Sequence, residues 1–347
     1  MPSSAQSANS SLDVQDMKHG RLLDNHYNLT ILLPAYNEKD RIGNTLSTYM
    51  NYLSRTPVYQ HQRQTLNNYT TSCTNNLVSG TVSILVVDDG SSDGTAEFIR
   101  DRSWFSEQAG PPAEDGNINE NNYWTVDPNV NVITLPQNSG KGAAIERGMI
   151  ELPSSFDQGS SCIRKSVKSL VLVADADGSG DISCIDRMLH CLEEMLSNYS
   201  MSSTKRTDQN FGQTPALVVG YRQNLVPKSP LRDLLSQGFR STVSFLFSGQ
   251  ELGVRDTQCG FKLMTVSAGK VLYNQLNLRR WTQDVEVIYR ARLLKIPTAE
   301  CGIVWVDKDG SKLITKKTDA LFVSLAMFGE IANMRLQYAL GTWTATP

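Results

Sequence analysis

Short, uniformly apolar runs rich in Val, Ile and Leu recur along the first two thirds of the chain. They stand at residues 29–34 (LTILLP), 82–89 (VSILVVDD), 130–135 (VNVITL), 169–175 (SLVLVAD) and 216–222 (ALVVGYR). Runs of this kind predict strands buried on both faces. Stretches of helical period follow most of them, at 40–53, 95–100, 142–151 and 182–196. Strand alternating with helix predicts an α/β fold with a mostly parallel central sheet flanked by helices. In such sheets ligands gather beyond the carboxyl ends of the strands.

Each predicted strand ends in residues able to do chemistry. The first leads into PAYNE, the second into DDGSSDGT, the third into PQNSGKGAA, the fourth into DADGSGD and the fifth into GYR. One such end is easily chance; five in register point to a single site at one edge of the sheet.

Between these elements lie polar insertions near 54–80, 103–127, 153–168 and 198–214, rich in Ser, Asn, Thr and Gln. They read as surface loops. Residues 1–28 read as a polar tail, 29–310 as the folded unit and 311–347 as a C-terminal amphipathic region. Past Arg222 the texture changes: 229–253 and 319–343 carry Leu, Phe, Met and Val with interspersed basic residues. Such segments are either ordinary helices packed on the sheet or helices that lay an apolar face in a lipid interface.

Composition narrows the function classes. Lys and Arg total 33 against 35 Asp and Glu, so no global charge draws the chain to nucleic acid. The 6 cysteines are scattered with no CxxC pair, which favours reduced thiols over a zinc site or a disulfide framework. No stretch reaches the roughly twenty apolar residues of a membrane span, and residues 1–28 lack the apolar core of a signal peptide. A role at a membrane is therefore expected to be peripheral.

The acidic strand ends carry the most specific chemistry. In an extended strand Asp175 and Asp177 would point the same way, since successive side chains alternate faces. Two like charges so close call for a cation or a shared proton. Mg²⁺ or Mn²⁺ takes only one or two protein carboxylates plus substrate phosphates, a demand that this pair meets. Asp-x-Asp is common, however, and alone also fits a solvated turn. Asp89 closes the second strand and could accept the imide N–H of a uracil, while Ser91, Ser92 or Asp93 caps the next helix. NSGKGAA fails the Walker pattern, with Leu135 where Gly is required and Gly142 after the lysine. Lys141, at a helix start, can still approach a nucleotide or sugar. No GxGxxG follows the first strand, which disfavours a dinucleotide oxidoreductase.

PAYNE, VVDDGSSDGT, NSGKGAA and DADG, in this order and spacing, resemble the nucleotide-diphospho-sugar transferases of glycosyltransferase family 2, with a GT-A type fold. GYR (220–222), RDTQCGFKLM (255–264), RRWTQDVEVIY (279–289), IPTAECGIVW (296–305), DGSKL (309–313) and RLQYALGTW (335–343) resemble the eukaryotic dolichyl-phosphate β-glucosyltransferases. The resemblance implies a UDP-glucose site: Pro34, Tyr36 and Glu38 lining the nucleotide, Asp89 reading uracil, Lys141 near the ribose or diphosphate, Asp175 and Asp177 on the divalent cation. It implies dolichyl phosphate as acceptor, work at the cytosolic face of the endoplasmic reticulum membrane, and C-terminal helices that lie in the interface.

Asp284 stands at the position the family assigns as catalytic base, with Asp177 as its metal-holding partner. Arg222, Arg232, Arg240 and Lys262 are candidates for the acceptor phosphate, because cationic forks suit phosphate oxygens. Two features depart from the family's pattern: residues 1–28 carry no hydrophobic anchor, and Gln283 precedes Asp284 where an apolar residue is usual. Another polyprenyl-phosphate transferase, such as a mannose synthase, and a catalytically silent homologue are the alternatives.

Overall fold

The computed structural model describes residues 25–56, 79–102, 104, 124–153, 166–202, 214–224, 247, 253–306 and 317–346. Within them a seven-stranded sheet runs in the order β3-β2-β1-β4-β6-β5-β7. The strands are β1 (Asn25–Ala35), β2 (Ser79–Asp88), β3 (Trp124–Thr134), β4 (Ser166–Val173), β5 (Leu217–Asn224), β6 (Lys262–Thr265) and β7 (Thr298–Trp305). β3, β2, β1 and β4 are parallel neighbours. β6 runs antiparallel to both β4 and β5, and β5 pairs β7 in parallel. The expected mostly parallel α/β sheet is thus present, with β6 reversed between β4 and β5.

The helices are α1 (Lys39–Arg55), α2 (Thr95–Arg100), α3 (Lys141–Glu151), α4 (Ile185–Ser202), α5 (Val266–Leu272), α6 (Gln283–Leu293) and α7 (Lys317–Ala339). α1 forms because Ile42, Leu46, Tyr49, Met50 and Leu53 recur at helical spacing and are all buried. Alternate strand residues feed two cores. Ile31, Leu33, Leu170 and Leu172 pack with α1 and α4, whereas Leu32, Val171 and Val173 pack with Ala144, Ile145 and Met149 of α3 and with α5 and α6. Complete burial of each such side chain contributes about 1.5–3 kcal/mol, so each face of the sheet is held by many comparable terms. A smaller third core joins α6 to α7 through Val285, Tyr289, Ile331 and Met334.

Several boundaries differ from the sequence reading. β1 begins at Asn25, inside the expected tail, because Asn25 already pairs Ser166 and Tyr27 is buried. β3 begins at Trp124 and β4 at Ser166, so the second and third insertions end earlier than expected. Trp124 is buried beside polar Thr125, and Lys168 is buried although it is charged, which concealed the strand starts. α4 continues to Ser202, into the fourth expected insertion. The predicted helix near 319–343 is α7; the segment 229–253 lies outside the described residues except Phe247 and Gly253.

Candidate active site

The carboxyl ends of β1, β2 and β4 open on one cavity of about 470 Å³, a size suited to a small organic ligand. The turn after β1 needs a left-handed residue, supplied by Asn37 at φ 55°. Its backbone N–H donates to the Ser91 hydroxyl at 2.8 Å, and its side-chain oxygen accepts the Ser92 N–H at 2.8 Å, so the first two strand ends are tied together. Asp93 accepts the Thr95 N–H at 3.0 Å in a local turn, and also the Lys39 N–H at 3.2 Å, while the N-cap of α2 itself is Gly94 and not one of the residues expected to cap it. Tyr36, 42% exposed, projects at the rim. Glu38 accepts a two-pronged contact from Arg41, at 2.7 and 2.5 Å.

Asp89 holds the loop ahead of α3. Its two carboxylate oxygens accept the backbone N–H groups of Ser139 at 2.7 Å and Gly140 at 2.8 Å, and burial pushes its pKa up against those bonds. Gly140 has φ +100°, and a Cβ there would stand 2.3 Å from the Arg279 carbonyl oxygen, so only glycine fits. α3 then starts at Lys141, whose ammonium donates to Asp175 at 2.5 Å.

Asp175 and Asp177 do not sit in a strand, as the alternation argument had them. β4 stops at Val173, and the turn beyond it brings both carboxylates to the cavity wall. Burial would raise the Asp175 pKa, but Lys141, and to a smaller degree Lys262 and Arg222, hold it below the ordinary value. Burial would likewise lower Lys141; Asp175 and then Asp284 keep it well above normal. Asp177 accepts the Ser179 N–H at 2.9 Å through one oxygen, and its other oxygen lies 3.7 Å from Arg41.

Behind this wall lies a buried ion pair. β6 enters the sheet at Lys262, opposite Val173 at the end of β4, and the ammonium donates to Asp284 and to the Cys259 carbonyl. Lys262 is 0% exposed and Asp284 5%. Asp284 belongs to the first turn of α6, next to a Gln283 whose buried amide makes no hydrogen bond among the described residues. Gly260 packs on the cavity side of the same segment, where a Cβ would stand 2.6 Å from an Asp175 oxygen and 2.8 Å from the Lys141 ammonium.

All seven residues expected around a nucleotide sugar, Pro34, Tyr36, Glu38, Asp89, Lys141, Asp175 and Asp177, line this cavity. Asp284 and Lys262 stand just behind it. Arg222 is engaged elsewhere: its guanidinium makes a forked contact with Asp256 at 2.7 and 2.9 Å and lies over the Trp305 ring. Burial opposes its charge, but Asp256 more than offsets this and raises the pKa. Arg232 and Arg240 lie outside the described residues. The sequence reading did not single out Arg41, Asn138, Arg280 and Trp281, which also line the cavity. Arg280 and Trp281 were quoted only within a longer motif, and nothing in their spacing marks them.

Among the described residues no three His, Cys, Asp or Glu side chains converge as a metal-holding group. The donor set nonetheless fits a hard divalent cation that brings its own phosphate and water ligands, since both available donors are carboxylates open to the cavity.

No protein-family model matches the chain. Among solved structures, glucosyl-3-phosphoglycerate synthase of M. tuberculosis is 12% identical with a TM-score of 0.47, covering 90% of this chain and 81% of that one. The mannosyltransferase PcManGT from Pyrobaculum calidifontis is 12% identical with a TM-score of 0.43, over 92% and 66%. The sequence relatives are closer. A dolichyl-phosphate beta-glucosyltransferase of Trichomonas vaginalis is 30% identical over 89% of this chain and 76% of its own length. Those of Dictyostelium discoideum and Homo sapiens are 29% and 28% identical, over 92% and 91% of this chain and 77% of theirs. By this similarity, which extends over about nine tenths of the chain, the chain belongs to the dolichyl-phosphate β-glucosyltransferases.

Proposed function

We propose that the protein transfers glucose from UDP-glucose to dolichyl phosphate with inversion, giving dolichyl β-D-glucosyl phosphate for assembly of the lipid-linked oligosaccharide of N-glycosylation. The observation that carries this reading is the convergence, in one cavity, of seven side chains from strand ends far apart in sequence. Asp89 fixes the loop over the nucleotide end through Ser139 and Gly140. Lys141 and Arg41 supply positive charge beside Asp175 and Asp177. Asp175 and Asp177 would hold the divalent cation, which supplies charge neutralisation for the departing diphosphate.

In the reaction an acceptor phosphate oxygen attacks the anomeric carbon from the face opposite UDP. The new C–O bond forms as the bond to the β-phosphate of UDP breaks, and UDP leaves with the electron pair. A phosphate monoester has a second pKa of about 6 and is largely dianionic at neutral pH, so no base is required to activate it. Asp284 therefore serves to orient the sugar or to support developing charge, and Lys262 fixes its position.

A lipid-borne acceptor requires contact with a bilayer surface. No helix among the described residues is long and apolar enough to cross a membrane. α7 instead exposes Leu325, Phe328 and Leu336, with Leu340 just beyond its end, at helical spacing, while Ile331 and Met334 face the core. We assign this stripe to the cytosolic face of the endoplasmic reticulum membrane.

The test is transfer of radiolabelled sugar from UDP-glucose, UDP-GlcNAc and GDP-mannose to dolichyl phosphate in detergent micelles, with EDTA and an Asp177→Ala variant alongside. The expected result is glucosyl lipid from UDP-glucose alone, abolished by either control. Transfer from another donor would overturn the sugar assignment, and none from any donor would favour a silent homologue.

A further inference from the structure

The cavity holds three basic side chains, and two are already committed. Arg41 is forked onto Glu38 and Lys141 is bonded to Asp175. Arg280 also lines the cavity, is exposed, and makes no hydrogen bond or ion pair among the described residues. Its neighbour Trp281 lines the same wall and is 44% exposed, an unusual cost for the largest aromatic side chain unless a ligand covers it.

The backbone that carries this pair is fixed at both ends. The Arg279 carbonyl accepts the Gly142 N–H at 2.8 Å, at the start of α3. The Thr282 hydroxyl donates to Glu330 of α7 at 2.5 Å, and Thr282 is fully buried. Phe328, part of the exposed apolar stripe, lies two residues before Glu330. The Thr282–Glu330 bond thus ties to α7 the segment that carries Trp281 and Arg280. Asp284 follows four residues later.

We propose that Arg280 and Trp281 form the acceptor subsite: the Arg280 guanidinium takes the acceptor phosphate, and the Trp281 ring packs on the first isoprene units. This rests on the transferase reading above. A cation beside an exposed aromatic matches a ligand whose charge adjoins a hydrocarbon chain. It also fills the role sought at Arg222 and Lys262, whose charges are spent on Asp256 and Asp284.

The test measures binding directly, so that it does not depend on turnover. Farnesyl phosphate and UDP with Mn²⁺ are titrated separately into the parent chain and into Arg280→Ala, Arg280→Lys and Trp281→Ala, and inorganic phosphate is used to compete with farnesyl phosphate. Loss of a charge-assisted contact predicts that Arg280→Ala weakens farnesyl phosphate about tenfold or more, with UDP affinity within about twofold of the parent. Arg280→Lys recovers part of the loss. Trp281→Ala weakens farnesyl phosphate but leaves competition by inorganic phosphate unchanged. Retained UDP binding certifies that each variant is folded. Parallel weakening of UDP would assign Arg280 to the donor diphosphate and overturn the proposal, as would unchanged farnesyl phosphate affinity or a parent chain that does not bind it. Binding with the expected losses, in a parent that transfers no glucose, would uphold this subsite while overturning the transferase reading.

Discussion

Replacing Lys262 with Met keeps most of the side-chain volume and removes the charge facing Asp284. Lys262 is fully buried, and the Asp284 side chain is only 6% exposed. No other hydrogen-bond donor to the Asp284 carboxylate is seen among the described residues, so the variant leaves a buried carboxylate without its bonded cation, the charge of Lys141 acting from farther off. Breaking one side of a buried pair costs about 3–5 kcal/mol, far above the ~1 kcal/mol of an exposed one. At about 2–4 °C per kcal/mol for a domain of a couple of hundred residues, Tm should fall by roughly 6–20 °C. Thermal unfolding followed by circular dichroism, with urea midpoints as a second measure, reads this. The double variant Lys262→Met/Asp284→Asn should be more stable than Lys262→Met alone, since the orphaned charge is gone. A Lys262→Met protein within about 1 kcal/mol of the parent, or a double variant that simply adds the two single losses, would refute the reasoning.

Gly260→Ala should cut turnover severely with little change in the urea midpoint, because its Cβ would push on the Asp175–Lys141 pair and not on the core; normal turnover would show that the pair has room to move. Asp89→Asn replaces one acceptor with an N–H₂ group facing the Ser139 or Gly140 N–H, and should cost about 1–3 kcal/mol and weaken UDP binding measured calorimetrically. Lys141→Met removes the largest charge that opposes burial at Asp175, leaving only the smaller effects of Lys262 and Arg222. In the parent the depressed pKa contributes stability above the unfolded value near 3.8 that is lost as pH falls through the folded pKa; in the variant the raised pKa makes stability fall as pH rises above that value. The gap between the two proteins, measured in EDTA, should therefore widen from pH 4 to pH 7, and a constant gap would contradict it. Among the described cysteines, Cys191 should be alkylated first near neutral pH, since a hydrogen bond with Cys301 lowers its pKa while burial pushes Cys259 up to about 12; mass spectrometry of iodoacetamide-treated protein checks the order.

The parts of this molecule that were legible in the sequence are those where one strand buries both faces and then stops at a turn. Ile31, Leu32, Val86, Val87, Leu172 and Val173 announce β1, β2 and β4 because both sheet faces are covered, and PAYNE, DDGSSDGT and DADG follow because a parallel sheet presents its carboxyl ends together. The region after Arg222 is different in kind. β6 is four residues long, wholly buried and reversed, so it carries no alternation, and its Lys262 reads as a surface charge until its register against Val173 places it inside. Charge alone cannot separate Arg222, spent on an aspartate 34 residues away, from Arg280, which has no such partner among the described residues. What separates them is pairing across the fold. The acceptor candidates chosen from sequence were basic residues in promising company, and that criterion selects paired and unpaired charges alike. Burial and counter-charge decide which cation remains free for a phosphate, and both belong to the folded arrangement.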